Sequence, residues 1–392
     1  MDVQGFKFDK TLWETTILGE LAQEVSTRID NPSASKFEKF VGLEHFVSGE
    51  LKINNFGSTD NLTSSMKEFQ SGDILFARRN AYLRRASLVD FDGVCSGDAF
   101  VLKENHEKVA PGLLAFIVNS NGLWDFANAN AAGGMSKRVK WRDLASYEFL
   151  LPPKSLQSDI AELLWAIDEL IQDYSSIHQK CKILIQSTFK ERCAQSTQRK
   201  KCRVKDLLID GPRNGYSPKA STNGEGSRTV SISAVKNGLF TPEGNIKYAE
   251  VDNDILTKFN ILSGDVFVVR GNGNKVLCGL AGLAKKEYSN LFYPDLLMRL
   301  RFSPKKIIPE FATFMWNSPT AHKGLLRWAK STNGIWKVNG DDIKRHTLEI
   351  PPPDEQGEIM EELNSIELRI QQAHTALSVA KKLQRSLINQ VF

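Results

Sequence analysis

The chain carries one run of local signals twice, and this duplication limits its fold more than any other feature. Leu151-Pro152-Pro153-Lys154-Ser155-Leu156-Gln157-Ser158-Asp159-Ile160 is matched by Ile350-Pro351-Pro352-Pro353-Asp354-Glu355-Gln356-Gly357-Glu358-Ile359, with Gln157 and Gln356 199 residues apart. Upstream, Ser71-Gly72-Asp73-Ile74-Leu75-Phe76-Ala77-Arg78 matches Ser263-Gly264-Asp265-Val266-Phe267-Val268-Val269-Arg270 at an offset of 192. Earlier still, Val41–Gly49 resembles Val230–Gly238 at an offset of 189. Three matches in one order, with an offset that grows along the chain, describe two copies of one domain with loops of different length.

A chain of 392 residues has room for two such copies and their connections. Each copy begins with short β-like runs cut by Gly, Asn, Asp and Ser. Strands are expected at Phe37–Phe46, Asp73–Ala77 and Tyr147–Leu151, then at Thr229–Val235, Asp265–Arg270, Leu277–Leu283 and His346–Ile350. Helical spacing is present in Leu113–Phe126, Pro309–Trp316 and Thr320–Ala329. The pattern predicts α+β domains with mixed sheets.

A long helix follows each proline run. Ile160, Leu163, Ile167, Leu170, Tyr174, Ile177, Cys181, Leu184 and Thr188 alternate at spacings of 3 and 4, a coiled-coil seam held for four heptads. Leu363, Ile366, Ile370, Ala373, Leu377 and Ala380 repeat that alternation. Ser155 and Asp354 are placed to cap the two helices. A helix of that length with one apolar seam needs a partner, and the economical partner is the other seam. Two copies related by a two-fold axis make the helices antiparallel, with two heads held apart by a stiff rod.

Composition excludes several classes. No stretch approaches the length of a membrane span, and the N-terminus lacks a basic-then-apolar signal pattern, so no membrane partner is expected. Cys95, Cys181, Cys193, Cys202 and Cys278 are odd in number and scattered, which favours reduced thiols in a cytoplasm over disulfides or zinc. The six histidines form no ligand-spaced cluster, so no metal site is expected. Gly271-Asn272-Gly273-Asn274-Lys275-Val276 lacks both the third glycine of a dinucleotide loop and the G-K-[ST] of a phosphate loop. Pro-Pro occurs only before the long helices, and there is no Asn-Pro-Pro-aromatic or Asp-Pro-Pro-aromatic segment of the kind amino-methyltransferases use. Pro294-Asp295 is not followed by Glu-x-Lys, which leaves a metal nuclease unsupported. No catalytic residue and no cofactor is expected.

Nucleic-acid signals are better placed. The net charge of +5 is mild, but equivalent strand exits deliver side chains that hydrogen-bond guanine and adenine edges. In the first copy these are Arg78, Arg79, Asn80, Arg84 and Arg85; in the second they are Arg270, Asn272, Asn274 and Lys275. A second polar loop precedes each final strand, with Lys137, Arg138 and Lys140 in one copy and Asn333, Trp336 and Lys337 in the other. Arg213, Asn214 and Lys219 add a further segment in the second copy. A single Arg or Lys is as readily a solvated surface charge; recurrence at matching positions shifts the group toward DNA.

With these motifs assembled, the chain resembles the specificity subunit of type I restriction–modification enzymes. The Ser-Gly-Asp-apolar strands at 71–78 and 263–270, the junction at 350–359 and the head–helix–head–helix layout carry the resemblance, which spans nearly the whole chain. The first junction departs from the pattern, with Leu156 where the second has Glu355. The resemblance implies target-recognition domains at 1–153 and 200–352 and helical spacers at 154–199 and 353–392. It implies partners: double-stranded DNA, two methyltransferase subunits and restriction (motor–nuclease) subunits, which carry the catalysis. Because the heads differ, the two halves of the DNA site are expected to differ. The rival readings are a free-standing DNA-modifying enzyme with an unrecognised active site, and a coiled-coil interaction protein unrelated to DNA.

Overall fold

A computed structural model describes residues 8–219, 221 and 224–392. The domain bound at residue 1 and the start of the expected signal-free N-terminus lie outside the described residues. The chain divides into two compact units, residues 1–179 with 371–392 and residues 180–370. Among the described residues the first unit has three sheets and the second has four, and each unit contains a portion of both long helices, Lys154–Gln195 and Pro353–Val391.

The repeated Ser-Gly-Asp is one turn made twice. Gly72 and Gly264 take positive φ values of 94° and 86°, open to glycine at little cost. The following aspartates close the turn, Asp73 accepting from the Gln70 N–H at 2.8 Å and Asp265 from the Leu262 N–H at 2.8 Å. The apolar runs that follow become strands Ile74–Ala77 and Val266–Val269, buried at every residue. Their unbroken hydrophobicity reflects coverage of both sheet faces: Ile74 and Phe76 enter one core and Leu75 another, and Val266 and Val268 enter one core while Phe267 and Val269 enter another. In the first unit the sheet order is Ala22–Val25, Ala99–Glu104, Ile74–Ala77, Ala86–Leu88. In the second it begins Leu208–Asn214, Leu297–Phe302, Val266–Val269, Ala281–Leu283 and continues through Leu239–Phe240 to Val235–Lys236.

A further antiparallel pair closes each copy: Glu14–Ile17 with Glu148–Leu151, and Lys200–Arg203 with Thr347–Ile350. The expected Phe37–Phe46 strand is shorter, Lys39–Val41, because Gly42 turns the chain into the 3-10 segment Leu43–His45. Leu113–Phe126 divides into helices Leu114–Ile117 and Asn121–Ala129, with the Ser120 hydroxyl accepting from the Leu123 N–H as the second begins. Ser318 does the same for Pro319–Leu326 in the second copy.

The junctions differ from expectation in one detail. The helices begin at Lys154 and Pro353, so Ser155 and Asp354 lie inside the first turn rather than at its cap. The repeated glutamines do the fastening there. Gln157 donates to the Pro152 carbonyl (2.9 Å) and accepts from the Ala110 N–H (2.8 Å). Gln356 donates to the Pro351 carbonyl (2.8 Å) and accepts from the Ile308 N–H (2.9 Å).

The seam of the first helix is corrected too. Ile160 and Ile167 are buried as expected, but Leu163, Leu170, Ile177 and Leu184 are 43–50% exposed, while Leu164 and Ile171 are buried. The reason is that the helix does not pack on a helix alone. Ile160, Ala161, Leu164, Ile167 and Ile171 join the core of the first unit, so its buried face is rotated toward the head. Within that unit the helices run antiparallel: the Gln384 amide reaches the Leu164 carbonyl and Asp168 (3.4 Å each), and His178 lies 5.8 Å from His374 between ring centroids. Within the second unit, Phe189 and Cys193 share a core with Ile359, Met360 and Leu363, and Arg192 pairs with Glu362 at 3.1 Å.

Candidate nucleic-acid interface

In the first unit, two segments far apart in sequence meet at the exit of the central strand. Arg79 forms an isolated antiparallel bridge with Arg138. The Asn80 N–H donates to the Lys137 carbonyl (2.9 Å), and the Val139 N–H to that of Arg78 (3.0 Å). The loop is closed on itself as well, by paired hydrogen bonds between Ala132 and Arg138 at 3.0 and 2.9 Å. Asn80 takes the left-handed conformation that starts the 81–83 turn, a role asparagine tolerates well.

One carboxylate organises the charges. Asp98 takes the Arg138 guanidinium side-on, accepting from Nε at 2.7 Å and Nη2 at 3.0 Å. Arg79 approaches the same carboxylate at 3.6 Å and donates to the Ser136 hydroxyl at 2.9 Å. The Arg138 hydrogen bond holds the Asp98 carboxyl below its usual range, so it is ionised at neutral pH. Lys137 and Lys140 are exposed beside this group.

The remaining candidate arginines of this copy, each half-buried, bind other parts of the head. Arg84 binds Asn121 (2.5 Å) and Asp125 (3.1 Å), tying the turn to the Asn121–Ala129 helix. Arg85 donates to the carbonyls of Leu43 and Arg79. Arg78 lays its guanidinium over the Phe100 ring at 5.4 Å. These three arginines brace the surface on which Arg79, Lys137, Arg138 and Lys140 stand.

The second unit repeats the arrangement with different residues. Strand Gly271–Asn272 pairs with Ile335–Lys337, in the register Gly271 to Lys337 and Asn272 to Trp336. Gly271 is 192 residues after Arg79 and Lys337 is 199 after Arg138, the offsets already seen in the strand and junction repeats. Here the second loop is a ribbon, Lys330–Thr332 against Ile335–Lys337. Asn333 and Gly334 turn it with φ values of 52° and 75°, the two positive angles of a tight hairpin, so Asn333 has a backbone task of its own. Lys275 sits over the Trp336 ring at 4.2 Å. Asn272 and Asn274 accept from the Asn274 and Val276 N–H groups, shaping the intervening loop.

The third candidate segment joins this cluster through Asp295. Arg270 lies 3.7 Å from the Asp295 carboxylate, and the Ser217 hydroxyl donates to the same residue at 2.6 Å. Arg213 pairs with Asp210 at 3.4 Å, and Asn214 and Lys219 are exposed. Sequence reading missed the two organising acids, Asp98 and Asp295. Their signal was an acid in the turn that leads into strands Ala99–Glu104 and Leu297–Phe302. Tyr82 and Met135, 66% and 105% exposed, lie in the same two segments as the first cluster.

Among the described residues no group of three or more His, Cys, Asp or Glu is placed to hold a metal. Burial pushes the Cys95 thiol up to about 12 and those of Cys193 and Cys278 to about 11, which keeps them protonated.

No family model matches the chain. The chain is similar to the specificity subunit of the type I restriction enzyme EcoKI from Escherichia coli strain K12, with 27% identity over 376 residues, 88% of this chain and 80% of that protein. Over 47% of its length it is 24% identical to the StySPI specificity subunit of Salmonella potsdam, covering 41% of that protein. Among solved structures it shares its fold with a type I restriction–modification S subunit from M. genitalium (TM-score 0.60, 12% identity, 100% and 98% of the two chains). A chain solved for the assembly and conformational transition of the type I R-M system matches at TM-score 0.57 with 19% identity, over 97% of each chain.

Proposed function

We propose, for a chain that belongs to the specificity-subunit family of type I restriction–modification systems, that its two strand-exit clusters each read one half of an asymmetric, bipartite DNA site. The chain is the non-catalytic, DNA-binding subunit of such a complex and acts with methyltransferase and restriction subunits. The finer reading is two methyltransferase subunits, one for each head, working in the cytoplasm.

The observation that carries this reading is the paired construction of the clusters. In both units a loop before the final strand is hydrogen-bonded to the exit of the buried central strand, at Arg79 with Arg138 and at Gly271 with Lys337. The frame is the same and the side chains differ, as two readers of different sequences require. Backbone-paired loops present base-reading groups at low conformational cost, while the surrounding lysines serve phosphates.

The test is to express the chain with methyltransferase subunits and sequence the modified bases of the host genome. A single bipartite motif, with two unlike halves and a constant gap, is the expected result. Methylation by the chain alone, or no motif with the full set of subunits, would overturn the reading.

A further inference from the structure

We infer that Arg138 is the guanine-reading side chain of the first head and that Asp98 is its positioning residue. This rests on the proposed reading of the strand-exit clusters as half-site readers.

The argument comes from how the guanidinium is shared. Arginine has five N–H donors in a rigid plane. Asp98 takes the Nε hydrogen and one on Nη2, at 2.7 and 3.0 Å. The other edge, formed by Nη1 and the second Nη2 hydrogen, meets among the described residues only the Ser136 carbonyl, at 3.4 Å. That edge is the fork that matches O6 and N7 of guanine in the major groove. The side chain is 39% exposed, so the fork reaches solvent while its stem stays held.

Both ends of this pair are fixed. The Arg138 backbone is bonded to Ala132 and bridged to Arg79. Asp98 is half-buried, and its own carbonyl accepts from the Arg78 N–H at 3.0 Å. The guanidinium is therefore aimed before DNA arrives, and little side-chain freedom remains to be lost on binding. Arg79 is held less firmly, by one hydrogen bond to the Ser136 hydroxyl at 2.9 Å and a 3.6 Å approach to Asp98 in place of a two-bond carboxylate clamp.

The second head lacks this device. Lys337 occupies the position of Arg138, and among the described residues it makes no ion pair. A lysine there has neither the planar fork nor a carboxylate to aim it, which suits a phosphate. The two half-sites thus differ in kind at this position: a read guanine on one side and a backbone contact on the other.

The experiment uses the complex assembled with methyltransferase subunits, whose wild-type motif defines the target. Arg138→Ala and Arg138→Lys are expected to relax one guanine position in one half-site by roughly ten- to a hundredfold and leave the other half intact. Asp98→Asn is expected to relax the same position, and Asp98→Glu to restore part of it. Lys337→Ala is expected to weaken binding uniformly and lower the salt slope by about one, with the motif unchanged. With the wild-type complex, replacing that guanine by 7-deazaguanine, which removes N7 and keeps O6, should give part of the loss seen with Arg138→Ala, a readout independent of whether the variants fold. An unchanged motif in Arg138→Ala, or indifference to 7-deazaguanine at every guanine of that half-site, overturns the inference. A wild-type complex with no bipartite motif overturns the functional reading itself.

Discussion

Gln157 and Gln356 hold equivalent junctions by the same pair of hydrogen bonds. Each side chain donates to the carbonyl five residues before it and accepts from a backbone N–H of a distant loop, at Ala110 in one copy and Ile308 in the other. Both are buried, at 2% and 0% exposure, so water cannot replace the bond if the amide is lost. The repeat is therefore a shared anchoring device as well as a shared pattern of residues.

Removing either anchor leaves a backbone N–H unpaired in the interior. Gln356→Ala is expected to lower the stability of the second unit by about 1–3 kcal/mol, and Gln157→Ala to act similarly on the first. Equilibrium denaturation followed by probes in each unit checks this, and a loss spread evenly over both transitions would contradict local anchoring.

His346 gives the second unit a pH response. Burial, followed by the neighbouring His322, lowers its pKa from 6.5 to about 4. The unfolded chain therefore takes up the proton first. The contribution is fully present above pH 6.5 and is lost as pH falls from 6.5 to about 4, on the order of 3 kcal/mol in all. His346→Phe, packed against Trp316, should flatten this part of the stability–pH profile relative to the wild type. Parallel profiles for the two proteins would exclude His346 as the source.

Arg270 and Asn272 belong to one cluster, tied to Asp295 and to the Trp336 ribbon. Replacing both by alanine should relax only one half of the DNA motif. Equal loss at both halves in methylome sequencing would show that these side chains act on affinity or folding instead.

Spacing between the half-sites is expected to follow helix length. His178 lies beside His374, which places Ser175 near Leu377 on the opposing helix. Adding one heptad after each of these two residues preserves the facing stripes and lengthens both helices by about 10 Å. The methylated motif should keep both halves and gain a longer gap. An unchanged gap would remove the helices from any ruler role.

Several parts of the fold were legible because they depend on neighbours in sequence. Ser71-Gly72-Asp73 and Ser263-Gly264-Asp265 needed a left-handed glycine and a short acceptor, and both residue types stand in place. The long helices were legible from sustained 3-4 spacing. The exposed half of the first seam was not, since Leu163 and Leu164 look alike in sequence and only docking on the head decides which is buried. Arg78, Arg84 and Arg85 were indistinguishable from Arg79 in the same way. What separates them is Phe100, Asp125 and the Leu43 carbonyl, none of which is local.

The amino-acid sequence by itself determined the duplication, the turns, the buried central strands and the family resemblance. These follow from dihedral preference and hydrophobic period, which act over a few residues. Tertiary structure alone decided that Arg79 meets Arg138, that Gly271 meets Lys337, and that Asp98 and Asp295 organise the charges around them. Side-chain hydrogen bonds and ion pairs need groups within about 3–4 Å of one another. Residues 40 positions apart, as Asp98 and Arg138 are, come that close only after the sheet has formed.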